Sequence, residues 1–141
     1  MSELLISPVQ RLLEIKETNP ITLFLESLER DGLLEKDPVI ICRHCDETLT
    51  RPELVAVIND NTHHFFTNPS GMGFEVICFE SADGCVISGK PTDFFTWFPG
   101  FYWQYAYCRG CAHHIGWYYS HPEKQGFFGL VAEHLLGLEN I

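Results

Sequence analysis

The stretch FFTWFPGFYWQYAYCRGCAHHIGWYY, Phe94 to Tyr119, decides how the rest of the chain is read. It holds all three tryptophans (Trp97, Trp103, Trp117), twelve of the nineteen aromatic residues, and the C-x-x-C pair Cys108 and Cys111. Pro99-Gly100 fits the central positions of a type II turn, where Pro presets φ and Gly accepts φ > 0. The chain can then reverse into Phe101–Cys108, which alternates: Phe101, Trp103, Tyr105 and Tyr107 share one face. Beyond the cysteine turn, Trp117 and Tyr119 share a face by the same period of two. One loop and two neighbouring strands thus bring three indoles together as an aromatic box. The plainer alternative is that alternate strand residues simply face a core. Each indole N–H needs an acceptor, however, and three of them suit a half-open pocket better than a dry interior.

Upstream of the box the chain changes character at Asp37-Pro38. Before it, Ser7-Pro8 and Asn19-Pro20 are helix starts, with a cap residue followed by Pro at the first helical position. Ile21, Phe24, Leu25 and Leu28 then fall at i, i+3, i+4, i+7, and Gly32 fits the C-terminal cap. Residues 1–37 are therefore an N-terminal helical extension, a short hairpin whose apolar face needs a partner. From residue 38 to 141 the pattern is one of short strands: Val39–Cys42, Leu54–Ile58, Phe65–Thr67, Phe74–Phe79, Cys85–Ser88, Phe101–Cys108 and Ile115–Tyr119. Gly, Pro, Asn and Asp punctuate them. The fold class is mainly β, with two antiparallel sheets facing each other.

Cys42 and Cys45 form a second C-x-x-C pair, separated from Cys108 and Cys111 by 62 intervening residues. Four thiolates suit a tetrahedral Zn²⁺, and each C-x-x-C turn presents two sulfurs to one ion. Four protein ligands leave no open position, so the expected zinc is structural and clips the start of the β-domain to the aromatic hairpin. Two vicinal redox disulfides are the alternative. A Cys₄ set does not need His44, His113 or His114, which read as surface or supporting groups. Cys78 and Cys85 remain; a four-residue hairpin loop at Ser81–Gly84 would make them diagonal neighbours, too far apart for an unstrained disulfide and best read as buried thiols.

Composition narrows the partners. The formal net charge is −10 with no Lys/Arg cluster, which disfavours a nucleic-acid or anionic-membrane partner. Neither a secretory leader nor a long apolar run is present, so the expected setting is soluble and cytoplasmic. In that reducing compartment six cysteines are metal ligands or free thiols.

The segments NPSG (68–71), TWFPGFYW (96–103), CRGCAHHIGWYY (108–119) and FFGL (127–130), with CRHC (42–45), resemble the CULT domain, the thalidomide-binding domain type of cereblons. The likeness covers roughly residues 38 to 137 and implies a zinc-containing β-tent. It implies that Trp97, Trp103 and Trp117 wall a pocket floored by Tyr119, with Asn68 supporting its base. The implied ligand is a cyclic imide such as glutarimide or succinimide, including a cyclised Asn or Gln at a peptide C-terminus or a uracil-like nucleoside base. The carbonyl of Phe95 would accept the imide N–H, and the N–H of Trp97 would donate to one imide carbonyl. Animal cereblons carry His where this chain has Phe95, so one donor to the second carbonyl is missing. Residues 1–37 are too short for the Lon-like domain and adaptor-docking segment of cereblon. The expectation is a stand-alone, bacterial-type module that is not an enzyme and engages no ubiquitin-ligase adaptor.

Two rival functions follow from the same residues. An aromatic cage for a quaternary ammonium or methylated lysine would use cation–π contacts, and the negative net charge would help it. An enzyme resembling a B-type methionine-sulfoxide reductase would need an activated thiol near the pocket, and neither Cys78 nor Cys85 has a flanking Lys, Arg or His.

Overall fold

The computed structural model describes residues 20–30 and 37–141. The chain divides after Asp37 into two units. Of the first, one helix is described, α1 (Pro20–Arg30), beginning where Pro sits at the first helical position. Its stripe residues Ile21 and Phe24 are largely exposed. The expected helix after Ser7-Pro8 and the Gly32 cap lie outside the described residues.

The second unit is all antiparallel β. Its strands are β1 (Ile40–Cys42), β2 (Thr48–Thr50), β3 (His63–Thr67), β4 (Gly73–Phe79), β5 (Cys85–Thr92), β6 (Tyr102–Cys108), β7 (His114–Ser120), β8 (Phe127–Val131) and β9 (Leu135–Leu136). They form a three-stranded sheet, order β2-β1-β9, and a six-stranded sheet, order β3-β4-β8-β7-β6-β5. The expected class, mainly β with two antiparallel sheets, is what the structure has.

Four segments differ from the sequence reading. Leu54–Ile58 is not a strand: Pro52 has no N–H to give a ladder and opens a 3₁₀ turn over Pro52–Leu54. Only single bridges follow, Val55 to Phe79 and Ile58 to Asn61. β2, β8 and β9 went unread. β8 matters most, because every one of its residues is buried and it lies in the middle of the large sheet. A strand covered on both faces does not alternate, so the period of two is silent there.

The position of β8 also overturns the expected β4–β5 hairpin. β4 pairs with β3 and β8, whereas β5 pairs with β6 at the opposite edge. Cys78 and Cys85 are consequently not neighbours. Cys78 joins one core and Cys85 packs against the other.

Register assigns those two cores to the two faces of the large sheet. Ile77, Phe79, Ala106, Phe128 and Leu130 pack with Ile40, Cys42, Leu49 and Leu135 of the small sheet. Gly84 permits this layering, since a Cβ there would meet the backbone of Thr48 and Leu49. On the other face, Cys78, Tyr119 and Phe127 pack with Phe98 from the loop between β5 and β6. Phe98 is 1% exposed and sets its ring edge-on to Tyr119 and Phe127 at 4.8 and 5.0 Å. That one anchored ring holds the 93–101 loop against the sheet.

Candidate functional site

The first site is a thiolate cluster at one end of the sheets. Cys42 ends β1 and Cys108 ends β6, and both are followed by the same turn. Cys42 N–H donates to the Glu47 carbonyl at 2.8 Å and Asp46 N–H to the Cys42 carbonyl at 2.9 Å. Cys108 N–H donates to the His113 carbonyl at 2.9 Å and Ala112 N–H to the Cys108 carbonyl at 2.8 Å. Asp46 and Ala112 hold matching positive φ of 65° and 63°. Two copies of one turn thus face each other across a long sequence separation, and Arg109 from one pairs with Glu47 of the other at 2.9 Å.

The four sulfurs of Cys42, Cys45, Cys108 and Cys111 lie within 4.8 Å of one another. Cys42 Sγ is 3.8 Å from Cys111 Sγ, and Cys45 Sγ is 3.4 Å from Cys108 Sγ. Thiolates arranged tetrahedrally at ~2.3 Å from one ion stand ~3.8 Å apart, so the set fits a metal ion. Burial opposes ionisation of Cys108, but N–H groups of Cys111 and Gly110 outweigh it and hold this thiol below its ordinary value. Burial raises Cys42. At Cys45 the Glu47 N–H favours the thiolate, yet desolvation and three neighbouring sulfurs together push it up to about 12. Four sulfurs this close could hold one metal ion among them.

The second site is a cavity of about 420 Å³ on the other face of the sheet. Trp97, Trp103, Trp117, Tyr119, Phe95 and Asn68 all line it. The register explains how two strands contribute: Trp103 pairs with Tyr119 and Tyr105 with Trp117 across β6 and β7. Trp97 arrives from the loop, its ring edge-on to Trp117 at 4.8 Å and stacked on Phe66 at 4.8 Å. Tyr119 is 2% exposed and forms the closed end. Burial there raises its phenol far above the ordinary range. Gly129 opposite Trp117 leaves the needed room, because a Cβ would stand 3.2 Å from the Tyr119 ring.

Two indole N–H groups are already used. Trp97 Nε1 donates to the Thr67 carbonyl at 3.2 Å and Trp103 Nε1 to the Phe94 carbonyl at 2.9 Å. They tie the loop to β3 and to β6. Asn68 acts on its own loop: its Oδ1 accepts from Ser70 N–H at 3.1 Å, Ser70 Oγ at 2.8 Å and Met72 N–H at 2.9 Å. The turn at Pro99-Gly100 has the expected form, with Phe101 N–H donating to the Phe98 carbonyl at 2.9 Å and Gly100 at φ 91°.

The loop carries one strained residue. Phe95 has φ 54°, a left-handed conformation that a bulky side chain adopts at a cost of roughly 1–3 kcal/mol. Among the described residues, neither the Phe95 carbonyl nor the Trp97 N–H has a hydrogen-bond partner. No lining residue is Asp, Glu, Lys or Arg.

Phe74, Phe94, Tyr105 and His114 also line the cavity and were not singled out from the sequence as site residues. The sequence pattern alone places His114 as a surface or supporting group. Strict alternation puts it on the face opposite Trp117, but a bulge intervenes: Ala106 pairs with Gly116 and Tyr107 with His114, leaving Ile115 extra. The bulge turns His114 into the wall, where its Nε2–H donates to the Gly116 carbonyl at 2.8 Å. Burial keeps its pKa below the ordinary histidine value.

A pair of facing cysteine turns at one end of two antiparallel sheets, with an uncharged aromatic cavity on the far face, defines a class of small two-sheet β-domain. Comparison with known proteins supplies the family. The chain is 30% identical over 110 residues to protein cereblon of Gallus gallus, covering 74% of this chain and 25% of that protein. It is 30% identical over 105 residues to protein cereblon of Xenopus tropicalis (70% and 24%). The match to protein cereblon of Drosophila melanogaster is 32% over 102 residues (67% and 17%). No protein-family model matches the chain. The chain belongs to the cereblon family through a CULT-like domain, and spans about a quarter or less of the length of these relatives.

Proposed function

We propose that this chain is a binding module, not an enzyme, whose cavity takes a flat, neutral cyclic imide of glutarimide or succinimide size. Peptides ending in a cyclised Asn or Gln and uracil-like bases present the same edge. One observation carries the reading: Trp97, Trp103, Trp117 and Tyr119 surround an uncharged cavity beside a carbonyl at Phe95 and an N–H at Trp97 that are unpaired among the described residues. An imide offers the matching donor and acceptor on one edge, and its ring methylenes pack on indole faces. Buried polar groups of a ligand must find partners, so the pairing sets selectivity as well as affinity.

Zinc is the ion proposed for the thiolate cluster, where it supplies cross-linking and no open coordination position. An enzyme mechanism would need a reactive thiol. Burial instead pushes Cys78 up to about 12, with no cation to stabilise its thiolate. No described helix is long and apolar enough to cross a membrane. Free thiols beside a thiolate-bound metal suit a reducing compartment such as the cytoplasm. The reading assigns this chain the imide pocket alone and no ubiquitin-ligase adaptor.

Titrating tryptophan fluorescence with succinimide and, separately, with trimethyllysine tests the proposal. Saturation by the imide with no response to the ammonium is expected. The reverse pattern would replace the imide pocket with a cation–π cage.

A further inference from the structure

The cysteine turns carry more than cysteines. Among the described residues, the ring nitrogens of His44, His113 and His134 also come within 4.8 Å of one another. His44 sits inside the first turn, between Cys42 and Cys45. His113 supplies the carbonyl that closes the second. His134 ends the 3₁₀ turn between β8 and β9. We propose that these three imidazoles form a second metal site, distinct from the thiolate cluster, for a divalent cation of the zinc class.

Geometry favours the assignment. His44 Nε2 and His134 Nδ1 are 3.0 Å apart. Nitrogens bound tetrahedrally at ~2.0–2.1 Å from zinc stand ~3.3–3.4 Å apart, a few tenths of an ångström away. The His113 ring stacks on His44 at 3.8 Å between centroids and meets His134 edge-on at 4.7 Å, so a shared ion requires the His113 side chain to rotate out of the stack until its nitrogen points between the other two. The backbones beneath are fixed. Arg43 N–H donates to the His134 carbonyl at 2.9 Å, and Arg43 Nε to the Glu133 carbonyl at 2.8 Å. Little chain rearrangement stands between this cluster and a bound ion.

A second feature points the same way. With Nδ1 of His134 directed at the cluster, its Nε2 lies 4.0 Å from Glu133 Oε1. A histidine that binds a metal through one nitrogen usually presents the other N–H to a carboxylate, which fixes the tautomer. Neutral imidazoles suit zinc, copper and nickel ions. Three nitrogens leave a fourth position for water or another small ligand, unlike the closed Cys₄ set. The thiolate cluster holds the two cysteine turns face to face, so it also positions two of the three histidines.

The test is equilibrium dialysis of the intact chain against graded Zn²⁺, with bound zinc counted by elemental analysis. Wild type should take up one equivalent more than His134→Gln, whatever the thiolate cluster holds, since the comparison is a difference. His134 lies outside both cysteine turns, so its substitution should spare them; His113→Gln carries the same expectation should His134→Gln fail to fold. Glu133→Gln should weaken the extra equivalent only a few-fold, since Glu133 Oε1 lies 4.0 Å from His134 Nε2, beyond hydrogen-bond distance. His63→Gln should change nothing. Equal zinc uptake by wild type and His134→Gln at every concentration would overturn the proposal.

Discussion

The two faces of the six-stranded sheet are made from the same strands and put to opposite uses. On one, Ile77, Phe79, Ala106 and Leu130 are fully buried beneath the small sheet, and the thiolate cluster closes the end. On the other, Tyr119 and Phe127 are buried at the bottom, while Phe94 and Phe95 at the mouth are 68% and 53% exposed. Apolar surface left open beside a cavity is where the proposed ligand would be covered from water. The closed face stabilises; the open face is the one proposed to recognise a ligand. Their difference implies that damage to the first should unfold the domain, and damage to the second should spare the fold and remove binding.

The largest effect belongs to the closed face. If the proposed zinc is bound, Cys108→Ser or a chelator should unfold the domain, because a structural zinc contributes of the order of 10–16 kcal/mol that is also folding free energy. Loss of near-UV circular dichroism on chelation is the readout. A folded, metal-free protein would break the comparison at its root.

Next comes a wall of the open face. Trp117→Ala should weaken imide binding by roughly 2–4 kcal/mol, as for an aromatic hot spot, and leave the metal content unchanged. Isothermal titration together with zinc analysis separates the two. Unfolding of this variant would show that the aromatic cluster is core rather than pocket.

How much of this was legible is itself a contrast between the faces. Period-two alternation brought Trp103, Trp117 and Tyr119 to one face, and paired C-x-x-C spacing gathered the four cysteines. The Phe95 and Asn68 assignments came from resemblance, since neither φ 54° nor a saturated side-chain oxygen leaves a mark in composition. β8 was invisible because a doubly buried strand carries no alternation, and with it went the true place of Cys78. His114 was hidden by a single bulged residue. Local patterns find elements. The order of strands in a sheet is a long-range property that no short window contains.

Smaller effects sharpen the open face. Phe95→His adds a donor at the mouth and should tighten imide binding by ~0.5–1.5 kcal/mol, one neutral hydrogen bond. An unchanged affinity would mean that the second imide carbonyl faces water. His114 should give the weakest signal. Its folded pKa lies below the ordinary value, so protonation favours the unfolded chain. Stability on its account is complete above the unfolded value near 6.5 and declines as pH falls through that value toward the folded one. The decline in Tm between pH 7.5 and 5 should be shallower in His114→Gln than in wild type.

The central claim is that backbone groups at Phe95 and Trp97 read the edge of an imide. The direct measurement compares succinimide with N-methylsuccinimide by calorimetric titration of the same protein sample. Methylation removes the donor that meets the Phe95 carbonyl and places a methyl group against that backbone, so the account predicts a loss as large as that of Trp117→Ala. Equal affinity for the two compounds would contradict it, leaving an aromatic cavity that holds rings without reading them.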